Sequence, residues 1–456
     1  MDFELINKII DPIINAGPLF MIFFVFTIIG LIVRLKPIAA IRNGLMIAVG
    51  FQGVYIVVDY FLAKIGPVAA ALTERFGGVF SYTDIGWAAF ASFAWSSPWA
   101  YVLVVILVLL NLVMIFTKMT DTLNLNIWDF WEPIFATLIV LTITQNIPLS
   151  LIVGAGLGWF NLMFADFGAQ KGYLTDLGFD GLSFYQGATQ LWMVFAHYLS
   201  KLFDKIGWKE VKFTPDQIQE RFGILGEPAV LGGILALVMG IAAGFFWIDI
   251  VLLMISLATS LILLPMMTGI VMQALVPVTE AAVGFLKKYA GGRQLYIGVD
   301  PALALGNATT IAVGILMMPV MLILAFIIPG NLMVPLADLS IMMFIWIFLI
   351  PPMKFDLLRS FVAAVIAGII MTFAGILIAP YYNMVAVSQG ADIPAGTAVS
   401  SSIGSGYPEM LASGLLGDSY ASIGFVGVVA IVVVSVVISI IFRLRYLKKR
   451  ASLANS

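Results

Sequence analysis

Residues 246–284 read FWIDIVLLMISLATSLILLPMMTGIVMQALVPVTEAAVG, in which only Asp249 and Glu280 are charged. A helix that crosses a bilayer needs about 20 mostly apolar residues. This stretch is too long for one crossing, and Pro265 marks the position where a break is expected. Working outward, similar apolar runs occur around 17–33, 39–63, 99–117, 133–165, 224–244, 302–329, 339–353, 360–380 and 423–442. The run 133–165 is again too long, with Asn146 and Pro148 at its expected break. Segments 84–97 and 184–200 are shorter and interrupted by polar residues, and they read as re-entrant or interfacial. The pattern predicts an all-α polytopic membrane protein with about eleven transmembrane helices. The whole chain, 1–456, reads as one membrane unit.

Composition agrees. Of 456 residues 62% are hydrophobic and only 11% charged, against about 25% charged in soluble domains. Such a chain cannot coat itself with a water-compatible surface. The net charge of −2 argues against a nucleic-acid partner. There is no cysteine, which excludes disulfides, thiolate metal sites and cysteine-based covalent catalysis within the chain. The single histidine, His197, excludes the usual two-His metal arrangements and reads as an interfacial residue. No cofactor and no metal is expected. Asp2, Glu4 and Asp11 stand where a signal peptide would carry basic residues, so no cleavable leader is expected.

Basic residues near span ends set the expected orientation. Arg443, Arg445, Lys448, Lys449 and Arg450 place the C-terminus in the cytoplasm, and Arg34, Lys36 and Arg42 place the first loop inside and the N-terminus outside. An odd number of spans follows. Lys201, Lys205, Lys209, Lys212 and Arg221 make the polar loop 201–222 cytoplasmic, and Thr214-Pro215-Asp216 opens a short helix within it. That loop reads either as a topology signal alone or as a docking surface.

The halves echo each other. Gln52 precedes Glu74, Arg75 and Asp84, while Gln273 precedes Lys287, Lys288 and Asp300. Each Asp opens a small-residue apolar run that ends near a proline, Pro98 or Pro319. Inverted repeats whose broken helices meet at the midplane are common in secondary transporters. Re-entrant hairpins are therefore expected near 84–97 and 300–318.

Ionisable groups inside apolar spans are costly and invite a functional reading. The candidates are Asp84, Asp300, Glu227 before Pro228, Gln145 with Asn146, and Glu409. Each has a plainer role open to it: helix caps for Asp84, Asp300 and Glu227, kink satisfaction for Gln145 and Asn146, surface for Glu409. Asp59, Asp121 and Asp129 read as solvated span ends. Carboxylates, amides including Gln52, Gln273 and Asn307, and an aromatic such as Trp87 suit a polyhydroxylated ligand: they bond hydroxyls in pairs while a ring covers the C–H edge. No ring of basic residues awaits an anion, and no phosphate-binding loop is present.

Several motifs together resemble the galactitol-type IIC membrane component of the phosphotransferase system (PTS), within the ascorbate-galactitol superfamily. They are Asp84-Ile85-Gly86-Trp87, Thr117-Lys118 through Asn126-Ile127-Trp128, Gln219 through Pro228, Tyr296 through Leu303, and Pro329-Gly330-Asn331. The resemblance spans nearly the whole chain. It implies a transporter of a polyol, galactitol foremost, that presents its cargo for phosphorylation by a phosphocysteine on a separate cytoplasmic IIB component, itself supplied by IIA. It further implies a homodimer in the bacterial cytoplasmic membrane, a dimerisation scaffold, and a mobile core that carries substrate by an elevator motion. Within the shared motifs Asp84, Trp87, Glu227 and Asp300 are the site residues. Asp300 is the candidate base for the attacking hydroxyl and Glu227 the runner-up, while Lys205, Lys209, Lys212 and Arg221 are the candidates for docking IIB. The competing readings are an ion-coupled secondary transporter of a sugar or polyol, with Asp84 or Asp300 binding the ion, and a non-transporting membrane sensor.

Overall fold

The computed structural model describes residues 18–76, 80–124, 126, 128–208, 228–287, 295–304, 307–335, 337–339, 341–391, 393, 398–401 and 407–454. Helices of ten residues or more are α1 (Pro18–Ile32), α2 (Pro37–Phe76), α3 (Trp87–Ser96), α4 (Pro98–Phe116), α5 (Trp131–Thr144), α6 (Ile147–Phe164), α7 (Leu191–Lys205), α8 (Pro228–Ala243), α9 (Trp247–Lys287), α10 (Ala308–Ile327), α11 (Leu357–Ser388) and α12 (Tyr407–Ala454). Among the described residues five short strands join them: β1 (Tyr82–Asp84), β2 (Thr122–Asn124), β3 (Leu182–Phe184), β4 (Tyr296–Val299) and β5 (Ala398–Ser400). Among the described residues four helices are long and apolar enough to cross a membrane, 98–116, 147–170, 357–388 and 408–448, and shorter apolar helical stretches lie at 22–32, 232–243, 247–260, 269–278 and 312–327. Their outer faces expose Ile32, Phe116, Ile241, Val426 and Phe442, as a lipid-facing surface should.

The halves repeat one order of elements. In the first, Arg34 turns at φ 68° and the Leu35 N–H donates to the Gly30 carbonyl at 2.9 Å, closing α1 against α2. In the second, Gly244 turns at φ 74° and the Phe245 N–H donates to the Gly240 carbonyl at 2.9 Å, closing α8 against α9. Helix α2 has 40 residues and α9 has 41. They meet through Gly50 and Gly53: a Cβ on Gly50 would stand 2.5 Å from Val271 Cγ2, and one on Gly53 would run into Met267. Small residues that let backbones approach closely are what helix pairing in lipid requires. The kinks correspond as well. Gln145 turns left-handed at φ 53° before Asn146, whose side chain accepts the Leu149 N–H at 3.0 Å to cap α6. Phe355 turns at φ 59° before Asp356, which accepts the Arg359 N–H at 2.9 Å to cap α11.

The strands tie the halves together by exchange. β4, from the second half, lies between β2 and β3 of the first, parallel to both, with Asn124 and Ser183 level with Gly298. β1, from the first half, pairs in parallel with β5, Asp84 level with Ser400, while the Tyr82 N–H donates to Leu332 O on its other side at 3.0 Å. Each half thus inserts its first strand into the other.

Two sequence expectations need correction. Pro265 does not break the second long run: α9 is continuous from Trp247 to Lys287, braced along α2, and such prolines are tolerated where neighbouring helices support the chain. Segment 339–353 is not a span. It folds into single turns at Met343–Trp346 and Pro351–Met353 around residues 345–350, all fully buried. Pro351 and Pro352 stop any helix there, and an apolar run reads alike whether lipid or protein surrounds it. Of the two segments expected as hairpins, 84–97 holds the end of β1 and α3, and 300–318 holds a turn at Pro301–Ala304 and the first half of α10, which runs on to Ile327.

Because the caps of α6 and α11 do the same work, Asn146→Ala should destabilise the protein by about 1 kcal/mol. Asp356→Ala should cost at least as much, since Asp356 is fully buried and Asn146 is not. Unfolding of the detergent-solubilised variants checks both values.

Candidate functional site

Each half ends its first strand on an aspartate. Asp84 is the last residue of β1, and its carboxylate accepts the Gly86 N–H at 3.0 Å, the Ala337 N–H at 3.0 Å and the Asp338 N–H at 3.1 Å. Gly86, at φ 83°, makes this turn possible. Asp338 returns the contact, accepting the Trp87 N–H at 2.8 Å and the Ser401 hydroxyl at 2.6 Å. Both carboxylates are buried. This pair braces the irregular backbone of one half against the other, so Asp84 works first as a structural acceptor.

Asp300 follows β4 in the corresponding place and is also buried. It stands within electrostatic reach of Asp129, as does Glu132. Asp129 accepts Asn126 Nδ2 at 2.5 Å, and the same amide donates to Tyr185 O at 2.8 Å. Glu132 accepts the Ala188 N–H at 2.9 Å and the Thr189 hydroxyl at 3.0 Å. Glu409 enters from α12, buried, and accepts Asn161 Nδ2 at 2.9 Å. Among the described residues, the charges named as acting on Asp129 and on the Tyr185 hydroxyl come from carboxylates. The result is an acidic, acceptor-rich interior where β4, α5, α12 and the loop after β3 converge.

An aromatic wall adjoins it. Trp87 sits 5.9 Å from Trp131 and 6.2 Å from Trp128, Trp128 stacks on Trp95 at 5.9 Å, and Phe51 lies 4.0 Å from Trp128. Behind Phe51, Trp95 and Trp128 a cavity of about 320 Å³ opens between α1, α2 and α4 and is lined by apolar side chains.

The structure brings Trp87, Asp84, Asp300 and Glu409 to this region and leaves others apart. Gln52 and Gln273 are exposed on α2 and α9. Gln145 is exposed and donates to Thr142 O at 3.0 Å. Asn146 caps α6 and lies 3.5 Å from Tyr420 Oη. Asn307 caps α10, accepting the Thr309 and Thr310 N–H groups at 3.1 and 3.2 Å. Lys205 is exposed at the end of α7. Glu227, Lys209, Lys212 and Arg221 lie outside the described residues, as does the side chain of Asp59.

Two acids expected in solvent are instead buried. Asp129 belongs to the acidic interior, and Asp121 pairs with Arg443 at 2.9 Å, with Asp166 at 3.2 Å from the same guanidinium. Arg443 therefore fastens α12 to the loop before β2, a role beyond orienting the tail. Sequence reasoning also missed Glu132, Asp338 and Tyr185; the signal available was that Asp129 and Glu132 sit three apart at the mouth of an apolar run. His197 is half-buried on α7, with Nδ1 2.5 Å from Tyr173 Oη. Burial, then Lys201 and Lys171, hold its pKa below the usual value.

Apolar helices packed around a buried polar centre, with strands and caps closing breaks among the described residues, are the architecture of an integral membrane permease. The chain belongs to the family of PTS system sugar-specific permease components, whose galactitol-type (EIIC-GAT) model matches residues 12–396. It is 30% identical to the "Putative permease IIC component" of Escherichia coli (strain K12) over 95% of this chain and 98% of the relative. It is 27% identical to the PTS system galactitol-specific EIIC component of the same organism, over 88% of this chain and 89% of the relative. The same identity and coverage hold for the galactitol-specific EIIC component of Escherichia coli O157:H7.

The end of α7 is anchored by Arg359, itself buried, which donates to Asp204 at 2.6 Å and to Trp208 O, while Lys354 donates to Asp204 at 3.3 Å. The Arg359 hydrogen bond, foremost, holds the Asp204 pKa below the usual carboxylate value. A depressed folded-state pKa contributes stability above the unfolded pKa of about 3.9, and that contribution is lost as pH falls through the folded value. Asp204 keeps 44% of its side chain in solvent, which screens the pair, so Asp204→Asn should destabilise the protein near pH 7 by about 0.5–1 kcal/mol. The gap between the variant and the unmodified protein should close as unfolding is followed below pH 4.

Proposed function

We propose that this chain is the IIC component of a galactitol-type phosphotransferase system that binds a neutral polyol, galactitol foremost, carries it inward and presents it for phosphorylation. The observation that carries the reading is the buried group of Asp129, Glu132, Asp300 and Glu409 beside the tryptophan wall. Carboxylates accept hydroxyl protons in pairs, and indole faces cover the C–H edges of an extended polyol. The names of two relatives point to the same substrate.

The chemistry needs a second protein. The polyol oxygen attacks phosphorus on a phosphocysteine, the O–P bond forms as the S–P bond breaks, and the thiolate leaves. With no cysteine in this chain, the donor is another polypeptide, the IIB component, recharged by IIA. The hydroxyl proton passes to a carboxylate within hydrogen-bonding reach, and in-line positioning supplies the remaining acceleration. Asp300 is the base in this account, because it ends β4 on the acidic side of the interior, while its counterpart Asp84 is saturated by backbone donors. A phosphocysteine is dianionic near neutral pH, and the exposed Lys205 suits the docking of such a group with its basic neighbours in 201–222. The account places the protein in the bacterial cytoplasmic membrane as a homodimer, N-terminus outside and C-terminus inside. About eleven spans include re-entrant segments led by Asp84 and Asp300. One part of each subunit moves past a fixed scaffold.

Asp300→Asn keeps the size and some hydrogen bonding of the side chain but removes the basic oxygen. It should retain measurable galactitol binding and lose phosphorylation by about 10²–10⁴-fold, as measured with phosphorylated IIB in vesicles. Normal phosphorylation by this variant would remove Asp300 as the base and turn attention to Glu227.

A further inference from the structure

Around the loop 185–190 several buried polar atoms of the described residues have no well-formed hydrogen bond. Tyr185 Oη, Asn126 Oδ1, Gln190 Oε1 and Glu409 Oε1 are all buried, and none has a properly formed hydrogen bond. Their residues are at least nine-tenths buried. They share one neighbourhood: the Tyr185 hydroxyl is within electrostatic reach of Glu409, Glu132 and Asp129, Asn126 is bonded to Tyr185 O, and Gln190 donates to Asn161 O while Asn161 donates to Glu409. Buried polar atoms are satisfied in the great majority of native structures, so a concentration of exceptions calls for a partner.

The chemistry of the four atoms specifies that partner. Amide oxygens and ionised carboxylates only accept, and a phenol both accepts and donates. The ligand must therefore bring several donors. It must also be uncharged or positive, because a carboxylate would join Asp129, Glu132 and Glu409 in the same interior. Among the described residues no three acidic or histidine side chains gather closely enough to hold a metal ion. Hydroxyl groups on a neutral chain fit. The loop is also built for close approach: Gly187 sits at φ 44°, and a Cβ there would collide with the Glu132 carboxylate. Tyr185 is held edge-on against Phe130 at 5.7 Å, so its hydroxyl is fixed before any ligand arrives.

We propose that Tyr185, Gln190, Asn126 and Glu409 form a hydroxyl-binding subsite that takes a neutral polyol and rejects sugar-acid anions. This rests on the polyol-permease reading above and adds the residues that select the substrate class.

Tyr185→Phe is the decisive variant, because it removes an oxygen with no well-formed hydrogen bond in the free protein, its approach to the Asn161 side chain falling short of one, and leaves the ring packing intact. Replacing such a group costs the fold little. Calorimetric titration of the full-length protein in detergent should show galactitol binding about tenfold weaker in Tyr185→Phe, the loss of one hydrogen bond to a ligand. Its unfolding temperature should be unchanged. Glu409→Gln should weaken binding at least as much, and the unmodified protein should bind galactitol but not galactonate. If the unmodified protein binds galactitol and both variants bind it equally well, the subsite is wrong and the permease reading stands. If the unmodified protein binds galactonate in preference, or binds no neutral polyol, the reading beneath it falls too.

Discussion

A backbone that breaks its helices inside an apolar surround must find every lost hydrogen bond within the protein, since lipid offers none. This protein meets that constraint by exchanging strands between its halves: β4 is hydrogen-bonded on both sides by the first half, and β1 lies between β5 and the stretch at Leu332. Everything at the centre depends on this exchange. It pairs β4 and β1 on both sides, fixes where each aspartate ends its strand, and gathers α5, α12 and the loop after β3 around one interior.

The same duplication explains how two like residues come to differ in role. Asp84 and Asp300 occupy equivalent positions, each facing an acid from the other half, Asp338 or Asp129. In the first pair backbone N–H groups and a serine hydroxyl satisfy the carboxylates, which turns the pair into a brace. In the second pair the neighbours include Glu132, and beyond it Tyr185 and Glu409.

Much of this architecture is legible in the sequence. Long apolar runs gave the polytopic class, Asn146 with Pro148 located a true helix break, and the spacing of Asp84 and Asp300 revealed the duplication. What escaped did so for physical reasons. Segment 339–353 is as apolar as a span but is wrapped by protein rather than lipid. Pro265 reads as a breaker, yet packing along α2 keeps α9 continuous. Asp129 and Asp121 lie next to loops in sequence and in the interior in space, because the short strands fold those loops inward. Gln52 and Gln273, candidates by analogy of position, are exposed on α2 and α9. Tyr185 and Gln190 had no local pattern at all; only the fold brings them to Glu409.

The central claim is that substrate is held in the acidic interior where the exchanged strands end. A cryo-electron-microscopy map of the full-length protein with galactitol tests it most directly. The account predicts density for the polyol ringed by Asp129, Glu132, Tyr185, Asp300 and Glu409, with an indole of the tryptophan wall against its carbon chain. Density instead in the apolar cavity behind Trp95 and Trp128, or at Gln52 and Gln273 on the outer faces, would contradict it.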